Sequence, residues 1–506
     1  MQLTNTELCV MKNRILLLCV CGHLLLWGCH FARAQEMTLS DAIGLARSSS
    51  VQALKARQAF ISSYWSWRSY QASRLPSIIL YGNIANFNRS LTLLQNPDDG
   101  SMSYVSSYNL QNNIGLQLRQ NIAWTGGTLN LYTDLNRIDQ FGAAKALTWY
   151  AQPITLSYSQ PLFTYNQFKW DKLIEPKEYE RSKRVYLESM EQVSLDAVTA
   201  YFNLMYAQED EKAAQTNLAN TARLIQIAGE RLNLGTITRD EYLQLELRML
   251  NDSLAIYESA LNKREAQMVL NTLLGLNDSF QVSTVSDSDL PVLQLDYEVV
   301  LEKALQNSRF NLDNEISRLN AESSVEKAKA QRGITVSFHA RFGLSKSAPD
   351  IKSTYLDPLD QEVFGLSFSV PIFDWGVGKG RVQKAKAARE VTQAQIRQNE
   401  DDYRRRLFMA VGQLNRQGNQ CSISRSAMMI AAERFRLMMD KFRSGSASVL
   451  EMNTARSEND AARLNYLGDL GRFWEYYYTL RKETLFDFFT GNDISIDEKE
   501  LLQDYE

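Results

Sequence analysis

The chain has 506 residues, with 55 Lys and Arg against 58 Asp and Glu for a formal net charge of −3, and 44% of its residues are hydrophobic. That near-neutral balance excludes a general electrostatic attraction to nucleic acid, and the apolar content excludes a disordered chain. The length leaves room for two or three ordinary domains.

The first 34 residues have the layout of a cleaved secretory leader: Lys12 and Arg14, an apolar run from Ile15 to Trp27, then Ala32-Arg33-Ala34 before Gln35. The run is about half the ~20 residues a spanning helix needs, and no other uninterrupted apolar stretch of that length follows. A mature chain that spans a membrane therefore has to do so with strands. Cys9, Cys19, Cys21 and Cys29 fall in or before the leader and leave Cys421 alone, so cleavage after Ala34 permits no intramolecular disulfide. Leu26-Trp27-Gly28-Cys29 also has the layout of a lipid-attachment box that would make Cys29 the mature N-terminus. Bulky Trp27 is atypical there, and cleavage after Ala34 is preferred.

Self-comparison divides the rest into two copies. Leu156-Ser157-Tyr158-Ser159-Gln160-Pro161-Leu162-Phe163 recurs as Leu366-Ser367-Phe368-Ser369-Val370-Pro371-Ile372-Phe373, an offset of 210 (366 minus 156). The same offset carries Arg231-Leu232-Asn233-Leu234-Gly235 onto Lys441-Phe442-Arg443-Ser444-Gly445. Upstream, Arg74-Leu75-Pro76 faces Arg332-Gly333-Ile334 at an offset of 258, so the first copy holds 48 extra residues (258 minus 210). That surplus contains a further strand-like segment, Leu116 to Trp124, and predicts an inserted strand pair or a long loop near the outer surface.

Each copy reads as a short helix, a strand region, a very long helix, a glycine turn and another long helix. The first repeat is expected at 35–280, with strands over 76–160 including the inserted pair and a helical hairpin over 166–276 whose tip is 233–238. A polar linker at 281–296 with Pro291 leads to the second repeat at 297–490. That repeat has a β-hairpin over 333–371 and a helical hairpin over 376–489 with its tip at 443–448; a polar tail, 491–506, ends the chain. In the strand regions Ile334, Val336, Phe338, Ala340 and Phe342 alternate with Thr335, Ser337, His339, Arg341 and Gly343, which fits one apolar and one wet face. In the long segments, about Asp171–Leu234 and Lys379–Ser444, apolar residues recur at three and four, as in Val198-Phe202-Met205 and Leu407-Val411-Leu414. Roughly 60 residues give a rod of roughly 90 Å, which is coiled-coil length.

No catalytic chemistry can be assembled. His339 is the only histidine after the leader, so neither a His-based metal site nor a Ser-His-Asp triad is available. Gly376-Val377-Gly378-Lys379-Gly380 lacks the P-loop spacing and is explained by a strand-to-helix junction. No cofactor is implied. Pro161 and Pro371, which lack an N–H donor, suit the same kind of junction. Trp474, Tyr476, Tyr477 and Tyr478 stand at helical spacing and read as packing, some of them, with Phe486, Phe488 and Phe489, as an interfacial aromatic belt.

Pro161-Leu162-Phe163 and Pro371-Ile372-Phe373-Asp374-Trp375-Gly376 at the openings of long helices, with Gly235 and Gly445 at hairpin tips, resemble the two internal repeats of TolC-like outer membrane factors over nearly the whole mature chain. The resemblance implies an α+β membrane protein and a non-enzymatic channel. Three chains would each give about four strands to a transmembrane β-barrel that continues into a long periplasmic α-helical barrel of coiled-coil hairpins. It implies the outer membrane of a Gram-negative cell, contact with outer-membrane lipid, and a place in a tripartite efflux or type I secretion-like system. In that system a periplasmic adaptor links the duct to an inner-membrane pump of RND or ABC type. The adaptor-docking tips would be Arg231, Leu234, Gly235, Thr236, Arg443, Ser444, Gly445 and Ser446. Glu451 matches an acidic position of the periplasmic constriction, with Asp240 and Glu241 as further candidates, although carboxylates in a first helical turn are favoured there by the dipole alone. The next acidic position is Thr454 here, and the family's gate-locking aromatic and basic residues correspond to Phe442 and Ala447, so those locks do not carry over intact. Four strands cannot close a pore alone, and open edges in lipid are costly, which independently requires oligomerisation of any barrel. The competing reading is a secreted structural coiled-coil protein without a pore; it leaves the alternating strands unexplained.

Overall fold

The computed structural model describes residues 35–95, 100–142, 145–285 and 293–503. The leader with Cys29 and Ala34, Pro291 of the linker, and the last three residues of the tail lie outside them.

The first repeat begins with β1 (Gln35–Met37), α1 (Leu39–Ser49) and α2 (Val51–Ser73), then runs through β2 (Ser77–Gln95), β3 (Met102–Ile122), β4 (Gly127–Gln140) and β5 (Ala146–Leu162). It ends in α3 (Gln167–Asn233) and α4 (Arg239–Leu274), followed by the short β6 (Val282–Thr284). The second repeat has α5 (Tyr297–Asn307), α6 (Phe310–Arg332), β7 (Thr335–Ala348), β8 (Leu359–Ser369), α7 (Val377–Arg443) and α8 (Val449–Thr484). The repeat is metric. Lead helices of 11 and 23 residues and long helices of 67 and 36 occur in both halves. The surplus of the first half lies between its lead helices and α3, where it has four strands against two.

The chain forms two compact units, each drawn from both repeats. The first takes residues up to Gln58, Tyr186–Ser308 and Arg404–Asp497. Its core sets Ala197, Val198, Tyr201 and Leu204 of α3 against Leu270 and Leu274 of α4, Ala42 and Ala46 of α1, and Val282. The alanines let the helices approach closely. β1 and β6 pair in parallel beneath them, and the Tyr201 hydroxyl, 2.8 Å from the carbonyls of Met37 and Val285, ties that pair to α3. Cys421, the one cysteine among the described residues, is 1% exposed on α7, and burial pushes its pKa up to about 11. Thiol reagents at pH 8 are therefore expected to leave the folded mature chain unlabelled and to take up one equivalent after denaturation; rapid labelling of the native protein would contradict this packing.

The second unit takes Ala59–Val185, Arg309–Tyr403 and the chain from Glu498. Its sheet has six antiparallel strands in the order β2-β3-β4-β5-β7-β8. That is two more than the about four per chain that the family resemblance implies; with β2 matched to β7 and β5 to β8 by the two offsets, the 48-residue surplus falls on β3 and β4. Among the helices of this unit, Phe310 of α6 stacks on Tyr403 of α7 at 4.1 Å, and the Trp170 indole N–H donates to Glu326 at 2.8 Å. Among the described residues no helix is long and apolar enough to cross a membrane.

Candidate functional site

Two regions carry the expected functional residues: the tips of the helical hairpins in the first unit and the sheet with its junctions in the second.

Both tips are made the same way. Gly235 and Gly445 have φ of 70° and 83°, a left-handed conformation that glycine adopts without a Cβ penalty. Two backbone bonds close each helix end: Gly235 N–H to the Leu232 carbonyl and Thr236 N–H to Arg231, then Gly445 to Phe442 and Ser446 to Lys441. Three residues on, Thr238 and Ser448 are N-caps with complete capping boxes. Glu241 accepts the Thr238 N–H and Glu451 the Ser448 N–H, both at 2.9 Å. Asp240 instead accepts from Gln244 at 2.7 Å. The constriction candidates Glu241 and Glu451 are thus the repeat-related halves of one capping motif, legible as T-x-x-E and S-x-x-E.

Of the expected docking residues, Leu234, Gly235, Thr236, Arg443, Ser444, Gly445 and Ser446 are exposed, whereas Arg231 is half-buried. Its guanidinium lies 5.5 Å over the Phe442 ring and joins the two tips. Phe442 and Ala447 are both buried, in one cluster with Leu224, Ile237, Leu245 and Met452. Bonds from the Ser448 backbone and hydroxyl hold the exposed Glu451 carboxyl below its ordinary value of 4.5. The stabilisation this cap supplies is complete above pH 4.5 and is lost as the pH falls through the lower folded value. Proteolysis at the second tip is expected to accelerate below pH 4.5, and Glu451→Gln to remove most of that dependence.

Farther along the hairpins the first unit buries a polar cluster that sequence reasoning missed. Arg456 of α8, 2% exposed, reaches Asp252 of α4 and Thr221 of α3. No local pattern marks it, because its partners are 204 and 235 residues away.

In the second unit Pro161 is the penultimate residue of β5, opposite Ser337, and Pro371 follows the end of β8. Gly376, at φ 86°, sits in the turn into α7. There Asp374 caps the helix, accepting N–H groups of Gly376 at 2.9 Å and Gly378 at 2.6 Å, and those bonds hold its pKa down. The glycine run thus serves a helix start. Exposed aromatics gather where β3, β5 and β8 end, on one margin of the sheet: Trp124 (86% exposed), Phe163, Phe373 and Trp375. Trp474 and Tyr477, which read as packing, do pack on one another and on Phe489 within the first unit, and no helical periodicity distinguishes that role from a belt. Among the described residues no three His, Cys, Asp or Glu side chains converge as a metal site.

Residues 300–482 match the family model of the outer membrane efflux proteins. No curated protein matches the chain by sequence. Among solved structures, the Campylobacter jejuni CmeC outer membrane channel is 15% identical with a TM-score of 0.60, covering 92% of this chain and 88% of that one. The Vibrio cholerae outer membrane protein VceC is 14% identical at a TM-score of 0.60, covering 88% and 95%. The open Neisseria gonorrhoeae MtrE outer membrane channel is 15% identical at 0.58, covering 91% and 90%. The chain therefore has the fold of these outer membrane channels. Its resemblance to TolC-like outer membrane factors holds in fold over most of the chain and in sequence over residues 300–482.

Proposed function

We propose that this protein is a subunit of an outer-membrane exit duct that passively conducts solutes out of a Gram-negative cell. The observation that carries the reading is the apolar face of the sheet. Ile84 is 91% exposed and Phe368 is 74% exposed, with Leu80, Phe87, Phe364 and Leu366 also bare on the edge strands. Large contiguous apolar surface of this kind is foreign to a soluble protein, and a barrel wall facing lipid accounts for it. The exposed aromatics at one margin then sit as an interfacial girdle does. A secreted coiled coil without a pore leaves this face without a purpose.

Three copies would complete the wall, with the helical hairpins in the periplasm. The exposed tip residues would dock an adaptor that couples the duct to an inner-membrane pump of RND or ABC type. Glu451 and its repeat mate Glu241 would stand near the tunnel mouth, where threefold rings of carboxylate favour cations.

Light scattering and negative-stain imaging of the detergent-extracted membrane fraction test the duct. The expected particle is a trimer roughly 140 Å long, from barrel height plus helix rise; a water-soluble monomer or dimer would sink the barrel. Single-channel recording of Glu451→Ala tests the ring, since an unchanged cation preference would remove Glu451 from the mechanism.

A further inference from the structure

On the duct reading above, we propose that the barrel of this protein is an eighteen-strand wall, wider than the twelve-strand one its family resemblance implies. Each of three copies gives all six strands and joins its β2 edge to the β8 edge of the next.

Three copies have no shorter closure open to them in this sheet. β4 cannot serve as an edge, because Gly127–Gln140 is bonded along its whole length to β3. β3 is in turn bonded to β2 from Met102 to Arg119. Only β2 and β8 keep a free side, and unpaired edges are not tolerated in lipid. Direction agrees as well. β2 leaves its helical connection and β8 returns to one, so β8 of one copy and β2 of the next are antiparallel. An even number of strands per copy lets that alternation pass through every junction.

The β2–β3 hairpin is also patterned as wall. Ile78, Leu80 and Phe87 stand opposite Leu118, Leu116 and Leu110. The same face continues from Leu118 to Leu131, Leu156 and Phe342 across β4, β5 and β7. On the other face the Asn83 amide donates to Asn113 at 2.9 Å and Gln117 to Asn130 at 2.9 Å, a polar lining that also carries Arg119, Asp134 and Arg341. A hairpin folded away over the outer surface would have no reason to continue the apolar face in register.

With the start of β2 and the end of β8 level at the helical margin, as closure requires, the register fixes a slope. A line perpendicular to the strands runs from Ser77 at the start of β2 through Arg119, Asn130, Ser157 and Arg341 to Val363. Val363 lies six residues (369 minus 363) before β8 ends at Ser369. Six residues at about 3.4 Å over five steps of about 4.8 Å is a tilt of about 40°, inside the range of closed barrels. At that tilt eighteen strands give a backbone diameter of about 36 Å, against about 24 Å for twelve. With about 5 Å of side chain on each wall, about 25 Å stays open, more than twice the width of an α-helix. The sheet end then imposes no size limit on ordinary solutes, and selection by size falls to the helical end.

Electron cryomicroscopy of the detergent-extracted full chain decides by counting strands in cross-section. Eighteen strands in three copies, with β2 bonded to the neighbour's β8, is the expected result. A trimer with twelve strands and β2–β3 outside the wall would overturn the wide barrel and leave the duct standing. A two-copy ring of twelve strands would overturn the threefold wall. Particles with no membrane-embedded ring would overturn both readings.

Discussion

Replacing Arg456 by alanine is expected to destabilise the first unit by about 3–5 kcal/mol, the cost of leaving a buried charge without its partner. Arg456 donates to the Thr221 hydroxyl at 2.9 Å and to one oxygen of Asp252, while the Thr221 hydroxyl donates to the other oxygen at 2.6 Å. Asp252 is 4% exposed and Thr221 fully buried, so α3, α4 and α8 are joined by one desolvated cluster. Only Arg248, at 3.2 Å, would remain to balance Asp252. The geometry predicts an ordering. Arg456→Ala and Asp252→Ala each lose several kcal/mol. The combined Arg456→Met, Asp252→Leu variant loses far less, because removing both charges also removes their desolvation. Hydrogen exchange over residues 210–260 and 445–465 reads the effect locally; a loss under about 1 kcal/mol for Arg456→Ala would mean that water reaches the cluster.

The helical half of the molecule was legible because its repeats are nearly exact in length. With tips placed at 233–238 and 443–448 by the 210-residue offset, the long helices end at Asn233 and Arg443 and their partners begin at Arg239 and Val449. Pro176 lies inside α3 without ending it, although its ring removes one backbone bond of the helix. The strands were legible as alternation, and the extra hairpin as surplus length. Their register was not: it shifts at Asn83/Asn86, where Ala85 takes φ of 60° and donates its N–H to Asn112, a bulge no sequence signal announces. The Asp374 cap could have been read from Asp-Trp-Gly-Val-Gly, since an aspartate that bonds N–H groups two and four residues on needs little else. The roles of Trp474 and Trp375 could not, because burial and exposure of an aromatic are decided by what packs against it.

Phe442→Ala is expected to open the second tip, with a local loss of about 3–5 kcal/mol, while Phe442→Leu keeps most of it. Phe442 corresponds to an aromatic that the family resemblance links to gating, and a gate would need its ring free to meet another chain. Here the ring is 1% exposed, walled by Ile237, Leu245 and Met452 and covered by the Arg231 guanidinium. It is the central side chain of the tip core, and the packing of both tips depends on it. Limited proteolysis should therefore cut Phe442→Ala at 233–238 as well as at 443–448, since Arg231 loses its platform and the first tip loosens with the second. Adaptor binding, on the duct reading, should weaken in the same variant through disorder of both loops. If Phe442→Ala instead leaves both tips resistant and only raises single-channel conductance, the ring is a gate element and its burial here belongs to one state of the duct.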